Sequence, residues 1–472
     1  MTPKLEILSN VLEPLPRAED GHPEFIDLNY VDNFLPPFFA NMCFVLEAQS
    51  DLDVEQLGDR LRSALKKTVV QSFPSFRRVL HLDEARQVWQ LRADESPRFR
   101  FAVARASHVT VSQVKQGGFP SVPVGVMPVS DISVSLMAQL TQLADGYVIT
   151  LAASHALADG FSVALLARTW SANLRDGKNE HVPCTLDFRF DYGDKGKSTS
   201  YGPVGDGAFS FLEPGQVRPF VFPAKPPVTR AIRLSKAQVA HLKQHVFDFC
   251  DAHPDMRPER LSGNDVVTAL AWLCSALARS EGRQGDLPVA CAVAADWRPA
   301  HRLGSDIPSN YFGNGSAMAN ANTTVSMEAL DQDEKLKEAF ALCALAVRRS
   351  VTNYTKDEIH TVLARLAQAK HDRPLETVST PYDRLTVDTG VAGATNWVRF
   401  DLYNAESYHF GFESPSIVFA GFPPLVETQG SFPLSLISVM DTPVERGSFD
   451  ITLGVAAGTS ETFDRLVAAL LA

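Results

Sequence analysis

Tyr147-Val148-Ile149-Thr150-Leu151-Ala152-Ala153-Ser154-His155-Ala156-Leu157-Ala158-Asp159-Gly160-Phe161 is the stretch on which the fold turns. Its first five residues are β-branched, aromatic or leucine and read as a buried strand. After Gly160, the apolar positions Phe161, Leu165, Leu166 and Trp170 fall at helical spacing. A histidine therefore sits where a strand ends and a helix is about to begin, with an Asp-Gly turn four residues on. Such a place suits a general base, because the backbone is rigid on both sides and the ring can face the space beyond the strand end. His-x-x-x-Asp-Gly alone is weak, arising by chance roughly once in ~25 chains of this size. The alternative is a satisfied core histidine beside an ordinary turn.

Working outward, residues 55–72 carry Leu57, Leu61, Ala64, Leu65 and Val69 at helical spacing, and Val88–Leu91 reads as a strand. Residues 115–135, with Gly117-Gly118, Pro120, Pro123 and Pro128, read as loop. From about 180 to 228 glycine and proline recur with no helical period. A loop that long inside one domain is unusual, so it reads as a crossover between two. The expected division is 1–180, a linker 181–228, and 229–472. In the second half, strand 228–232, helix 235–250, helix 264–280 capped by Ser262 or Asn264, strand 289–295, helices 332–349 and 356–369, and a final helix 460–471 are expected. Strand and helix alternate in both halves, which is an α/β pattern.

With 472 residues, 45% of them hydrophobic, the chain can bury two sizeable cores. The formal net charge of −11 comes from mixed acids and bases. No basic stripe marks nucleic acid or an anionic membrane surface as a partner. The six cysteines are scattered, with no Cys-x-x-Cys pair, and read as reduced core residues of a cytoplasmic protein. His241 and His245 stand four apart on an expected helix without a third ligand, so they read as a solvent-facing pair and no metal is expected. No apolar run approaches ~18 residues, so no membrane span is expected.

Several segments, in order, resemble one family. His155-x-x-x-Asp159-Gly160 after a strand looks like the BAHD acyltransferases, members of the chloramphenicol-acetyltransferase-like superfamily. Leu61-Arg62-Ser63-Ala64-Leu65 running to Phe73-Pro74-Ser75-Phe76 is similar to that family's first helix and following turn. Leu261-Ser262-Gly263-Asn264-Asp265, Asp296-Trp297-Arg298, Asn310-Tyr311-Phe312-Gly313-Asn314 and Thr395-Asn396-Trp397 resemble four further segments. The resemblance implies two α/β lobes, each a mixed sheet with flanking helices, joined by the crossover and enclosing a channel. It implies a monomer that moves an acyl group, acetyl or another short one, from a coenzyme A thioester to a hydroxyl or amine of a small molecule. His155 would be the base. Asp159 would tie the loop through an ion pair, and Gly160 would permit the turn. Ser262, Asn264, Arg298, Thr395 and Trp397 are candidate coenzyme contacts, with Arg298 also readable as a core ion-pair member. Phe410 and Phe412 are candidates for the substrate pocket or for the core. Ser154, Thr395 and Asn396 are candidate oxyanion donors. The chain lacks Gly-x-Ser-x-Gly and any activated cysteine, so direct transfer without an acyl-enzyme is expected.

One segment departs from the pattern. The family's Asp-Phe-Gly-Trp-Gly-Lys-Pro is His409-Phe410-Gly411-Phe412-Glu413-Ser414-Pro415 here. In the family that aspartate is thought to pair with the arginine matching Arg298. Histidine cannot, so either Glu406 or another acid replaces it, or Arg298 does something else. The departure suggests a branch closer to the microbial trichothecene-type acetyltransferases. Two other readings stand beside the first. A condensation-type enzyme would take its acyl group from a carrier protein, but such domains carry a second histidine where Ser154 stands. A non-catalytic binding member of the fold is the other.

Overall fold

In a computed structural model the chain is described over residues 5–17, 23–29, 31–32, 39–49, 53–85, 88–117, 122, 134–175, 184, 210–211, 225–308, 310–372, 378–379, 390–422, 432–443 and 445–472. The first half runs β1 (Glu6–Pro14), β2 (Phe25–Asp27), β3 (Phe39–Glu47), α1 (Val54–Ser72), β4 (Arg78–Asp83), β5 (Val88–Ala93), β6 (Arg98–Ala106), α2 (Val111–Gly117), β7 (Leu136–Leu143), β8 (Tyr147–Ser154) and α3 (Gly160–Ala172), followed by β9 (Ser210–Phe211). The second runs β10 (Val228–Leu234), α4 (Lys236–Ala252), α5 (Gly263–Arg279), β11 (Asp286–Asp296), β12 (Ser316–Ser326), α6 (Asp333–Asn353), α7 (Lys356–Asp372), β13 (Val378–Ser379), β14 (Val391–Asn396), β15 (Ser416–Gly421), β16 (Leu436–Asp441), β17 (Phe449–Val455) and α8 (Ser460–Leu471).

Two six-stranded mixed sheets organise the chain, in the orders β1-β6-β7-β8-β3-β15 and β10-β17-β16-β14-β11-β12. All eight residues of β8 are buried between antiparallel neighbours β7 and β3, which is why its sequence is mostly apolar instead of alternating. Helices α1 and α3 pack together: Trp170 Nε1 donates to the Leu61 carbonyl at 3.0 Å and Asn173 Nδ2 to Thr68 Oγ1 at 2.8 Å. The second sheet packs on α5, whose residues from Asp265 to Ala278 are all buried. Ser262 caps α5 in a capping box with Asp265, which settles the choice between Ser262 and Asn264.

The two halves interlock. β15 belongs to the second half by chain position, yet it pairs antiparallel with β3 and completes the first sheet. Phe312, Trp397, Tyr408, Phe410 and Phe412 also join the first core. The division at 181–228 therefore does not separate two independent sets of strands. The crossover and most of the 115–135 loop lie outside the described residues, though β9 pairs with β13. His241 and His245 are half-buried rather than solvent-facing: the rings lie 4.4 Å apart and His245 Nε2 is 3.3 Å from the Leu470 carbonyl of α8. No helix among the described residues is long and apolar enough to cross a membrane.

Candidate active site

The site is built where β8 runs out. Leu157 N and Ala158 N turn back onto the Ser154 carbonyl at 2.9 and 3.1 Å, so His155 leaves the sheet on a tight, hydrogen-bonded turn. Asp159 then caps α3, its Oδ1 accepting from Ser162 N at 3.0 Å. Gly160 is not there for backbone freedom, since its φ is not positive. It is there for space: a Cβ would stand 2.7 Å from Trp397 Nε1 and 3.1 Å from the Phe400 ring. Trp397 is thereby pressed against the first turn of α3.

Asp159 is the node of the site. Oδ1 also takes Arg298 Nη2 at 3.2 Å, while Oδ2 takes Arg298 Nη1 at 2.9 Å, Gly315 N at 3.0 Å and Ser316 Oγ at 3.2 Å. Arg298 spends its remaining fork on Asp296 Oδ1 at 3.1 Å and the Gly313 carbonyl at 2.9 Å, and lies over the Phe161 ring at 4.5 Å. Gly315 is needed here as well, because a Cβ would meet the guanidinium carbon at 2.7 Å. Burial would push the Asp159 carboxyl up; the charge and hydrogen bonds of Arg298, with Ser162 N and Gly315 N, outweigh it and hold the carboxyl below its ordinary 3.8. Arg298 is the converse, its protonated form held against burial by Asp159. The acid that holds Arg298 is thus Asp159, with Asp296, and not a residue of the 406–415 segment.

His409 lies elsewhere, buried, with Nδ1 accepting from Gly411 N at 2.9 Å. Burial first, then Arg175 and Arg60, lower it to about 4, so it is a neutral acceptor near neutral pH. Phe410 and Phe412 are core residues: Phe410 packs on Phe44 and Trp170, and Phe412 on Tyr147. Tyr147 is at the far end of β8, roughly 26 Å of extended chain from His155, so the structure does not bring Phe412 to the histidine.

His155 is half-buried. Burial lowers its pKa below the ordinary 6.5, against its own backbone hydrogen bond, the Asp159 charge and the Asn314 side chain, so the neutral imidazole prevails near pH 7. Asn314 Nδ2 donates to the His155 carbonyl at 2.7 Å and to Asp32 Oδ1 at 2.6 Å. Asn314 stood in a quoted segment without a role, and nothing around Asp32 in the sequence marks it. Among the other candidates, Asn264 and Asn396 hydrogen-bond each other, and Asn396 Oδ1 also takes Val398 N at 3.0 Å. Thr395 sits beside Asn396 at the end of β14, opposite Ser438. Ser154 Oγ is buried with no hydrogen-bond partner among the described residues. Those residues hold no group of three or more His, Cys, Asp or Glu that could bind a metal.

A histidine thus stands on a turn locked by a buried Asp–Arg pair, at the end of a central strand in a mixed-sheet fold. The sequence profile of the Transferase family matches residues 16–465, and the chain belongs to that family, the BAHD type that its motifs resemble. The chain is 27% identical over 270 residues to O-acetyltransferase cpsE of Aspergillus campestris, a match covering 51% of this chain and about half, 53%, of that protein. It is 25% identical over 427 residues to Hydroxycinnamoyltransferase 2 of Oryza sativa subsp. japonica, covering 87% and 86%. Among solved structures it is similar to F. graminearum TRI101 complexed with coenzyme A and deoxynivalenol, with a TM-score of 0.71 and 18% identity over 94% of this chain and 97% of that one.

Proposed function

We propose that the chain is an acyltransferase taking its acyl group, acetyl or another short one, from a coenzyme A thioester. The acceptor is a hydroxyl or amine of a small molecule. One observation carries this reading: a histidine kept neutral near pH 7 stands on a rigid turn at the end of β8, its carbonyl held by Asn314. An O-acetyltransferase and a hydroxycinnamoyltransferase among the relatives, and coenzyme A in the TRI101 complex, support the acyl and thioester chemistry.

In this reading His155 removes the acceptor proton as the acceptor oxygen or nitrogen attacks the thioester carbonyl. The tetrahedral intermediate collapses, the C–S bond breaks, and the thiolate takes the proton from the imidazolium. Ester or amide and free coenzyme A leave, and His155 is neutral again. No covalent acyl-enzyme is needed. Ser154, whose hydroxyl hydrogen is not committed to a partner among the described residues, is the oxyanion donor that best fits. Asp159 is bound by five donors and serves as a support, not a proton carrier.

The pH profile tests this role. Because burial depresses the His155 pKa, kcat/KM for acetyl-coenzyme A with an alcohol or amine acceptor should be flat through neutrality. It should fall only on an acid limb whose midpoint is below 6.5. A limb centred above 6.5 would remove His155 as the base.

A further inference from the structure

Asp32 is a carboxyl 2% exposed. Its carboxyl accepts from Asn314 Nδ2 at 2.6 Å and from Asn314 N at 3.3 Å, and its own N–H donates to Asn29 Oδ1 at 3.1 Å. The same Asn314 nitrogen reaches the His155 carbonyl at 2.7 Å. A primary amide nitrogen has two hydrogens, and here one goes to Asp32 and the other to His155. Asn314 Oδ1, on the other side, is buried with no hydrogen-bond partner among the described residues. With two acceptors facing it, the amide has one workable orientation. Take Asp32 away and the amide keeps only the His155 carbonyl as acceptor, with its second hydrogen left unpaired and its orientation held by one bond instead of two.

We propose that Asp32 is a positioning residue for His155: it fixes the orientation of the Asn314 side-chain amide, and that amide holds the His155 carbonyl and with it the ring. The proposal rests on His155 being the base. Burial raises the Asp32 carboxyl to about 7, against the hydrogen bonds from Asn314 and Asn29 and with a contribution from the Asp159 charge. Oδ1 can accept from Asn314 in either protonation state, so the role is one of geometry. A neutral acceptor of the same shape should serve.

Steady-state kinetics test it. Asp32→Ala should lower kcat about 10- to 100-fold, the scale of a displaced reacting group, with KM for acetyl-coenzyme A within about 2-fold of the wild type. Asp32→Asn, which keeps an acceptor oxygen, should recover kcat to within about 5-fold. Asn314→Ala should match Asp32→Ala, and the double variant should lose no more than either. Equal damage in Asp32→Asn and Asp32→Ala, losses that multiply, or a loss carried by KM would overturn the proposal. If Asp32→Ala does not fold, Asp32→Ser takes its place. Nitrogen-15 spectra of the His155 ring need no turnover and separate this claim from the assigned reaction. The ring signals should move in Asp32→Ala and in Asn314→Ala and return towards the wild type in Asp32→Asn. Unmoved signals in Asp32→Ala defeat the positioning role, whereas a wild type that transfers no acyl group defeats the reaction alone.

Discussion

His155→Ala is expected to lower turnover at least ~10²-fold, the lower range for loss of a general base, without unfolding the protein. The expectation of a stable variant has a structural ground. What His155 gives the fold is its backbone: the carbonyl bond from Asn314 and the turn closed on Ser154. Alanine keeps both. The imidazole is only half-buried, and its removal leaves the Asp159–Arg298 pair in place. The check is a turnover assay with thiol release beside a thermal melt. Near-wild-type turnover in a folded His155→Ala protein would end the base assignment.

Asp159→Ala should behave differently, losing activity and stability together. It removes the acceptor of two guanidinium bonds, the α3 cap, the Gly315 amide and the Ser316 hydroxyl at once. Arg298 would remain buried with Asp296 as its one acid, and that carboxylate is partly exposed. Breaking a buried pair in this way costs on the order of 3 kcal/mol, read as a lower denaturation midpoint, with turnover down about 100-fold. The pH dependence has a definite sign. The folded pKa of Asp159 lies below its ordinary 3.8, so the pair stabilises the protein above that value and is lost as pH falls through the depressed one. A stable, inactive Asp159→Ala protein would instead mark Asp159 as part of the chemistry.

How much of this was legible in the sequence follows from which interactions are local. The β8–turn–α3 unit was, because a buried strand, a capping aspartate and a helical apolar stripe are each written in consecutive residues. So were the helices 54–72, 263–279 and 460–471, found within a residue or so of their expected bounds. β12 was not: Ser316–Ser326 is rich in Ala, Asn and Thr, and its strand character comes from eleven paired positions with β11. β15 crossing into the first sheet was equally hidden, since pairing with β3 spans some 370 residues of chain. Within the site, Arg298 was in view but its partner was not. Asp159 lies 139 residues away, and only the fold brings it within 2.9 Å. Gly160 was in view with the wrong reason, because the Trp397 ring that excludes a side chain is a tertiary neighbour. Asp32 carried no local signal at all.

The central claim is that this site works on a coenzyme A thioester. Calorimetric titration of the wild-type protein with acetyl-coenzyme A and coenzyme A tests it without any knowledge of the acceptor. The account predicts saturable binding of both in the micromolar range, on the order of −8 kcal/mol. Absence of binding by a folded protein would contradict the account and turn attention to a carrier-bound donor or to a binding role without catalysis.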